Sequence, residues 1–204
     1  EMFYNKGFEE VELGEVCEIN PKKSELEKID KNLEVSFVPM AIVKEHESSF
    51  IPEETKKLNE VYKGYTYFKN NDVLLAKVTP CFENGKSGIA KKLKNGIGFG
   101  SSEYHVIRPS QKLLGELVYF IISDNSFLIS GKKQMSGTGG LKRLPKEYIT
   151  NKKIPLPPLS LQQKFAKIVE HVEKLKEKQK QSKEEINNLF DSLMKKAFNG
   201  ELVK

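Results

Sequence analysis

Residue types that carry out chemistry are sparse in this chain. Its histidines, His46, His105 and His171, lie far apart, and Cys17 and Cys81 are its only cysteines. None of these stands at the short spacing of a metal-binding pair. The phosphate-binding pattern G-x-x-x-x-G-K-[ST] is absent, as is the G-x-S-x-G of a serine nucleophile. What remains is the chemistry of contact. Gly131 to Arg143 reads as a flexible, basic loop rich in Gly, Ser and Thr. Its Gly137-Thr138-Gly139-Gly140 follows a helical pattern rather than a strand, so a dinucleotide loop fails its context. Two readings stay open there. One is a simple connector; the other is an anion site, because Lys132, Lys133, Lys142 and Arg143 suit phosphates and glycine lets backbone come close. Gln134, Thr138 and Arg143 are also types that read base edges. No catalytic constellation emerges, and no metal or cofactor is expected on this chain.

The strongest positioning element is a long helix expected over Ser160–Phe198. Leu161, Phe165, Ile168, Val172, Leu175, Gln179, Ser182, Ile186, Leu189 and Leu193 recur in alternating steps of four and three. That 3.5-residue period is the seam of a coiled coil. At about 1.5 Å per residue the helix is roughly 58 Å long. Pro157-Pro158 blocks helix upstream, and Ser160 with Gln163 reads as a capping box. Lys195, Lys196 and Gly200 signal its end. Gln179 and Ser182 are polar at mid-seam. Across a two-fold axis they would meet their own copies in an antiparallel pair, although a merely solvated section of one helix explains them equally.

Ahead of the helix, Phe8–Asn20 reads as one short amphipathic segment ending at Pro21. Glu34–Val43, Val73–Val78, Ser87–Ala90 and Gly98–Val106 read as strands, and Tyr62–Phe68 as extended. Thr79–Lys86 is a loop. Leu113–Ser130 carries apolar residues at 113, 114, 117, 118, 121, 122, 128 and 129, which predicts a single helix of about five turns. The fold class is therefore α+β: a mixed globular domain over 1–157, then a helical region over 158–204 that pairs as an antiparallel coiled coil.

Composition narrows the partners. Net charge is +6, but residues 1–60 carry −7, residues 61–159 carry +10 and the remainder +3. A basic central segment inside an otherwise modest chain suits a localised anion-binding face or a lysine-rich surface. No apolar run is long enough to span a membrane, and no basic-then-apolar start marks a secretory signal. A cytoplasmic location with both thiols buried and reduced is expected, a disulfide being the alternative.

Four ordered blocks carry a resemblance. Asn71-Asp72-Val73-Leu74-Leu75-Ala76-Lys77-Val78-Thr79-Pro80-Cys81-Phe82-Glu83-Asn84-Gly85-Lys86 is the first, and Phe99-Gly100-Ser101-Ser102-Glu103-Tyr104-His105-Val106-Ile107-Arg108-Pro109 the second. Ser136–Pro145 and Ile154–Gln163 follow. Together they resemble the specificity subunit of type I restriction–modification systems, across nearly the whole chain. The resemblance implies a target recognition domain followed by a spacer helix. It implies a subunit that binds double-stranded DNA, performs no chemistry, and carries methyltransferase subunits that use S-adenosylmethionine, with a restriction subunit joining them. Members usually hold two recognition domains and two helices, whereas this chain has one of each. Phe8 and Asn20-Pro21 also depart from the family pattern, so no role is carried onto residues 1–30. One half reproduces the arrangement by homodimerising, with the ten seam residues as interface and a bipartite palindrome as target. A structural adaptor without DNA binding and a fragment of a larger polypeptide stay open. The DNA-contact candidates are Lys77, Thr79, Lys86, Lys132, Lys133, Gln134, Ser136, Thr138, Lys142 and Arg143.

Overall fold

The computed structural model describes residues 7–138 and 140–200. The chain divides into two compact units, residues 1–165 and 166–204.

In the first unit, strand β1 (Glu10–Glu12), the one-turn helix α1 (Leu13–Val16) and strand β2 (Cys17–Ile19) replace the single amphipathic segment expected there. The segment splits because its two ends pair with different partners. Strands β3 (Glu34–Val38), β4 (Ser49–Phe50) and β5 (Thr55–Lys57) come next, then the short α2 (Leu58–Val61), β6 (Thr66–Lys69), β7 (Val73–Ala76), β8 (Ser87–Ala90), β9 (Ile97–Gly100) and β10 (Tyr104–Pro109). They form two sheets. The larger has the order β2-β10-β7-β8-β4, antiparallel except for β4 on β8. The smaller has the order β5-β3-β9-β6, with β3 parallel to β9.

Every residue of β7 is fully buried. Val73 and Leu75 join a cluster that helices cover, while Leu74 packs with Val38, Phe68, Tyr104 and Val106 on the other face. A strand covered on both faces carries a continuous apolar run, which is why Val73–Ala76 lacks alternation. Gly98 has no side chain because Phe68 lies where its Cβ would be, 2.2 Å from the nearest ring atom.

Helices α3 (Gly115–Ile122) and α4 (Asn125–Gln134) cover the larger sheet. The single five-turn helix expected here is broken at Ser123-Asp124. Asp124 takes an extended backbone and caps α4, accepting from Ser126 N at 2.8 Å. An aspartate that accepts from a free backbone amide N–H of a new helix stabilises the break. The loop expected over Gly131–Arg143 is not a loop either. Gly131 to Gln134 close α4, and strands β11 (Ser136–Thr138) and β12 (Leu141–Arg143) form an antiparallel hairpin. Helix α5 (Lys146–Thr150) and strand β13 (Lys153–Pro155) follow, and β13 pairs with β1.

Helix α6 (Leu159–Phe198) starts within the first unit. The first compact unit runs on through Phe165. Ser160 lies one residue inside the helix rather than ahead of it. Leu161 N and Gln162 N bond Pro158 O. Gln162 is the buried residue of this turn: its Oε1 accepts from Leu114 N at 2.9 Å, and its Nε2 donates to Pro157 O at 2.8 Å and Lys112 O at 3.0 Å. Leu161 and Phe165, expected in the seam, pack against the helix-covered core, with Phe165 edge-on to Phe120 at 5.2 Å.

In the second unit, Ile168, Val172, Leu175, Ile186, Leu189 and Leu193 are exposed along α6, as are Gln179 and Ser182. The apolar stripe broadens towards its end, where Phe190 and Phe198 are also exposed. Lys174 pairs with Glu170, and Lys176 with Glu173, on the polar side. Among the described residues no helix is long and apolar enough to cross a membrane.

Candidate nucleic-acid interface

The site is built on the exit of β7. Backbone from Lys77 to Thr79 pairs with the second strand of the hairpin: Thr79 N donates to Lys142 O at 3.0 Å, and Leu144 N to Lys77 O at 2.7 Å. Thr79 Oγ1 then donates to Gly140 O at 2.8 Å and accepts from Lys142 N at 3.0 Å. The hydroxyl of Thr79, one of the DNA-contact candidates, is engaged on both sides in holding the hairpin. Gly140, with φ +79°, supplies the left-handed residue of the turn.

The hairpin's outer face follows from strand register. Ser136 opposes Arg143, and Thr138 opposes Leu141, so these four share one side of the ribbon. All four are exposed, with Leu141 at 47%. Arg143 makes a forked ion pair with Glu103. Its Nε donates to the two carboxylate oxygens at 3.2 and 3.0 Å, and its Nη2 to Oε1 at 2.6 Å. That hydrogen bonding holds the Glu103 carboxyl below the usual carboxylate range, against a smaller opposing effect of burial. Glu103 is itself fixed, because its carbonyl accepts from Lys77 N at 2.9 Å and its amide donates to Ser101 Oγ at 3.2 Å.

The exit of the hairpin is tied to the core by His105. Burial lowers the pKa of this imidazole, so it is neutral at pH 7. Its Nε2 bonds Leu144 O at 2.8 Å and its Nδ1 faces Asn20 Nδ2 at 3.1 Å. A carbonyl accepts only, so Nε2 carries the proton and Nδ1 accepts. Asn20, at φ +58°, also accepts from Val106 N at 3.0 Å.

The loop after β7 packs on α4. Phe82 is fully buried, and an added Cβ on Gly131 would lie 2.5 Å from its ring, so only glycine permits this approach. The same approach sets Glu83 3.1 Å from Lys132. Of the ten candidates, Lys77, Thr79, Ser136, Thr138, Lys142 and Arg143 come together around the hairpin, with Lys132, Lys133 and Gln134 on the helix end that leads into it. Lys86 stands apart, at the far end of the loop, bridged to Glu45. Among the described residues Lys133 and Lys142 are exposed and form no ion pair, whereas Lys132 and Arg143 are neutralised. Glu103, Glu83 and Leu141 were missed. All three lie inside blocks of the family resemblance, Glu83 in the first, Glu103 in the second and Leu141 in the third, which was the available signal.

Beyond the site, Cys17 is buried, and burial raises its thiol to about 12, while Cys81 is only half-buried; both are free thiols. Among the described residues no cluster of His, Cys, Asp and Glu has a metal-site arrangement.

The family model for the type I restriction modification DNA specificity domain matches residues 5–188. The chain is 42% identical over 161 residues to the specificity subunit of the type I restriction enzyme EcoAI of Escherichia coli, covering 78% of this chain and 27% of that one. It is 42% identical over 154 residues to the EcoEI specificity subunit of the same organism, covering 75% and 25%. It thus spans about a quarter of the length of these relatives. Two solved structures share the fold. A chain from a structure of the type I R-M system has a TM-score of 0.59 at 21% identity, covering 96% of this chain and 47% of that one. The HsdS subunit from Thermoanaerobacter tengcongensis has a TM-score of 0.54 at 20% identity, covering 96% and 46%. The chain belongs to the type I restriction modification DNA specificity domain family.

Proposed function

We propose that this chain recognises DNA for a type I restriction–modification complex, without catalysing a reaction itself. The observation that carries the reading is the pinned, solvent-facing hairpin, with Ser136, Thr138, Leu141 and Arg143 on one face and the unpaired cations Lys133 and Lys142 beside it. Hydroxyls and a guanidinium read bases, and free lysines hold phosphates. The exposed stripe of α6 supports a homodimer, with Gln179 and Ser182 at the centre of an antiparallel pair. A two-fold pair of such chains would read an inverted repeat with an unread spacer. Methyltransferase subunits, which bring their own S-adenosylmethionine, and a restriction subunit are the further partners.

The test is a gel shift on paired and single half-sites. Tight binding to one isolated half-site, no better on the inverted pair, would remove the palindromic reading. The share of its relatives' length that the chain spans favours a second arrangement, in which its partner half lies on one longer polypeptide. A neighbouring coding sequence for that half distinguishes the two. If charge reversal of Lys142 and Arg143 leaves DNA affinity unchanged, the adaptor reading replaces both.

A further inference from the structure

We propose that Arg143 reads a guanine in the major groove through its free Nη1–Nη2 edge, with Glu103 as the residue that positions it. This rests on the DNA-binding reading above and makes it specific to one residue and one base.

A guanidinium is a planar fork of five N–H donors. Glu103 occupies the edge formed by Nε and Nη2. Arg143 is exposed, and among the described residues none bonds the edge formed by Nη1 and the second Nη2 hydrogen, which has the spacing that meets O6 and N7 of guanine together. The carboxylate also decides between base and phosphate. An arginine already paired with a carboxylate presents little net charge, so it adds little to the counterion release that drives phosphate binding. Its directional hydrogen bonding is kept. Lys133 and Lys142, which form no ion pair among the described residues, suit phosphates better.

The neighbours agree with a base-reading face. Ser136 is directly across the ribbon from Arg143, and the Thr138–Leu141 pair comes next. Hydroxyls accept or donate to either base of a pair, and an exposed leucine fits a thymine methyl. A two-stranded ribbon is also of a width the major groove admits, about 12 Å.

The test is selection of binders from a randomised duplex library by the full chain, as wild type, R143A, R143K and E103Q, with salt titrations on the selected sequence. The wild type is expected to enrich a motif holding a guanine that R143A and R143K make degenerate. Preference for that guanine should fall about 5- to 150-fold, the range for one bidentate contact, with other positions kept and the salt slope unchanged. E103Q should weaken the same preference yet bind unrelated duplex more tightly, because it removes a negative charge without removing Arg143; a merely structural Glu103 would do neither. If R143A instead weakens every duplex alike, lowers the salt slope by about one and retains every motif position, Arg143 is a phosphate contact and the assignment is overturned. A wild type that enriches no sequence overturns the DNA-binding reading and this assignment together. A wild type with a motif that R143A leaves intact overturns only the assignment.

Discussion

Gln162 joins the first turn of α6 to the globular unit, and its replacement by leucine is the sharpest test of that join. Leucine keeps the volume, so packing changes little and the three hydrogen bonds are what is removed. Each is worth about 0.5–1.5 kcal/mol net, and a buried group left unpaired costs about 1–3 kcal/mol. The Pro157 carbonyl is the buried partner, whereas the bonds to Lys112 O and Leu114 N are only part-buried, so water can reach them. A loss of about 3 kcal/mol follows, which for a unit of this size lowers Tm by about 6–12 °C. All seven tyrosines lie before residue 166, so tyrosine fluorescence in urea follows this unit alone. Gln162→Glu is the companion variant. Its carboxylate still accepts from Leu114 N but faces two carbonyl oxygens, so its loss should shrink as pH falls and the acid is protonated. A Gln162→Leu loss below about 1 kcal/mol would show that water replaces all three bonds and that the turn is not built into the unit.

Three further outcomes are expected. The folded pKa of His105 lies below the ordinary histidine value of about 6.5, so the unfolded chain binds the proton better. The stability it contributes is therefore complete above about pH 6.5 and is lost as pH falls towards the depressed value. Urea midpoints from pH 7.5 to 5 should decline more steeply for wild type than for His105→Gln, and equal slopes would refute the buried neutral imidazole. Arg108 bonds both oxygens of Asp72, whose side chain is 2% exposed, at 2.9 and 2.8 Å. Arg108→Ala leaves that buried charge without a cation, with Lys69 N still donating to it at 2.7 Å, and should cost about 3 kcal/mol by urea denaturation; Asp72→Asn in the same background should recover part of it. Replacing Val172, Leu175 and Leu189 with aspartate should convert a dimer to a monomer by light scattering while leaving the tyrosine-detected midpoint unmoved. A variant that stays dimeric places the interface elsewhere.

Features that depend on neighbours in the chain were the legible ones. The apolar run Val73–Val78 and the 3.5-residue period of α6 announce a buried strand and a long helix because burial writes itself into sequence at those periods. The helix break at Asp124 was hidden, since apolar residues on both sides keep a helical spacing that the cap overrides. The hairpin was hidden for the opposite reason. Its strands are three residues long, polar and glycine-rich, and they are held by Thr79 and the carbonyl of Lys77, some sixty residues away in the chain. Phe165 and Leu161 continue the seam's spacing without a break, so nothing local says that the protein's own core, rather than a second helix, takes them. At the site, cationic candidates were found by type, but which cations are free depends on Glu83 and Glu103, and pairing across the fold leaves no periodic trace.

The pinning of the hairpin has an evolutionary consequence. The groups that hold it are backbone atoms, the Thr79 hydroxyl, Glu103 and the imidazole of His105, while Ser136, Thr138, Leu141 and Lys142 are exposed and absent from every core cluster. The positions that would decide a target and those that keep the protein folded are thus nearly separate sets. On the proposed DNA-reading role, substitutions at the outer positions would alter what is recognised at little cost in stability, so a lineage could drift to a new target without first acquiring a stabilising change.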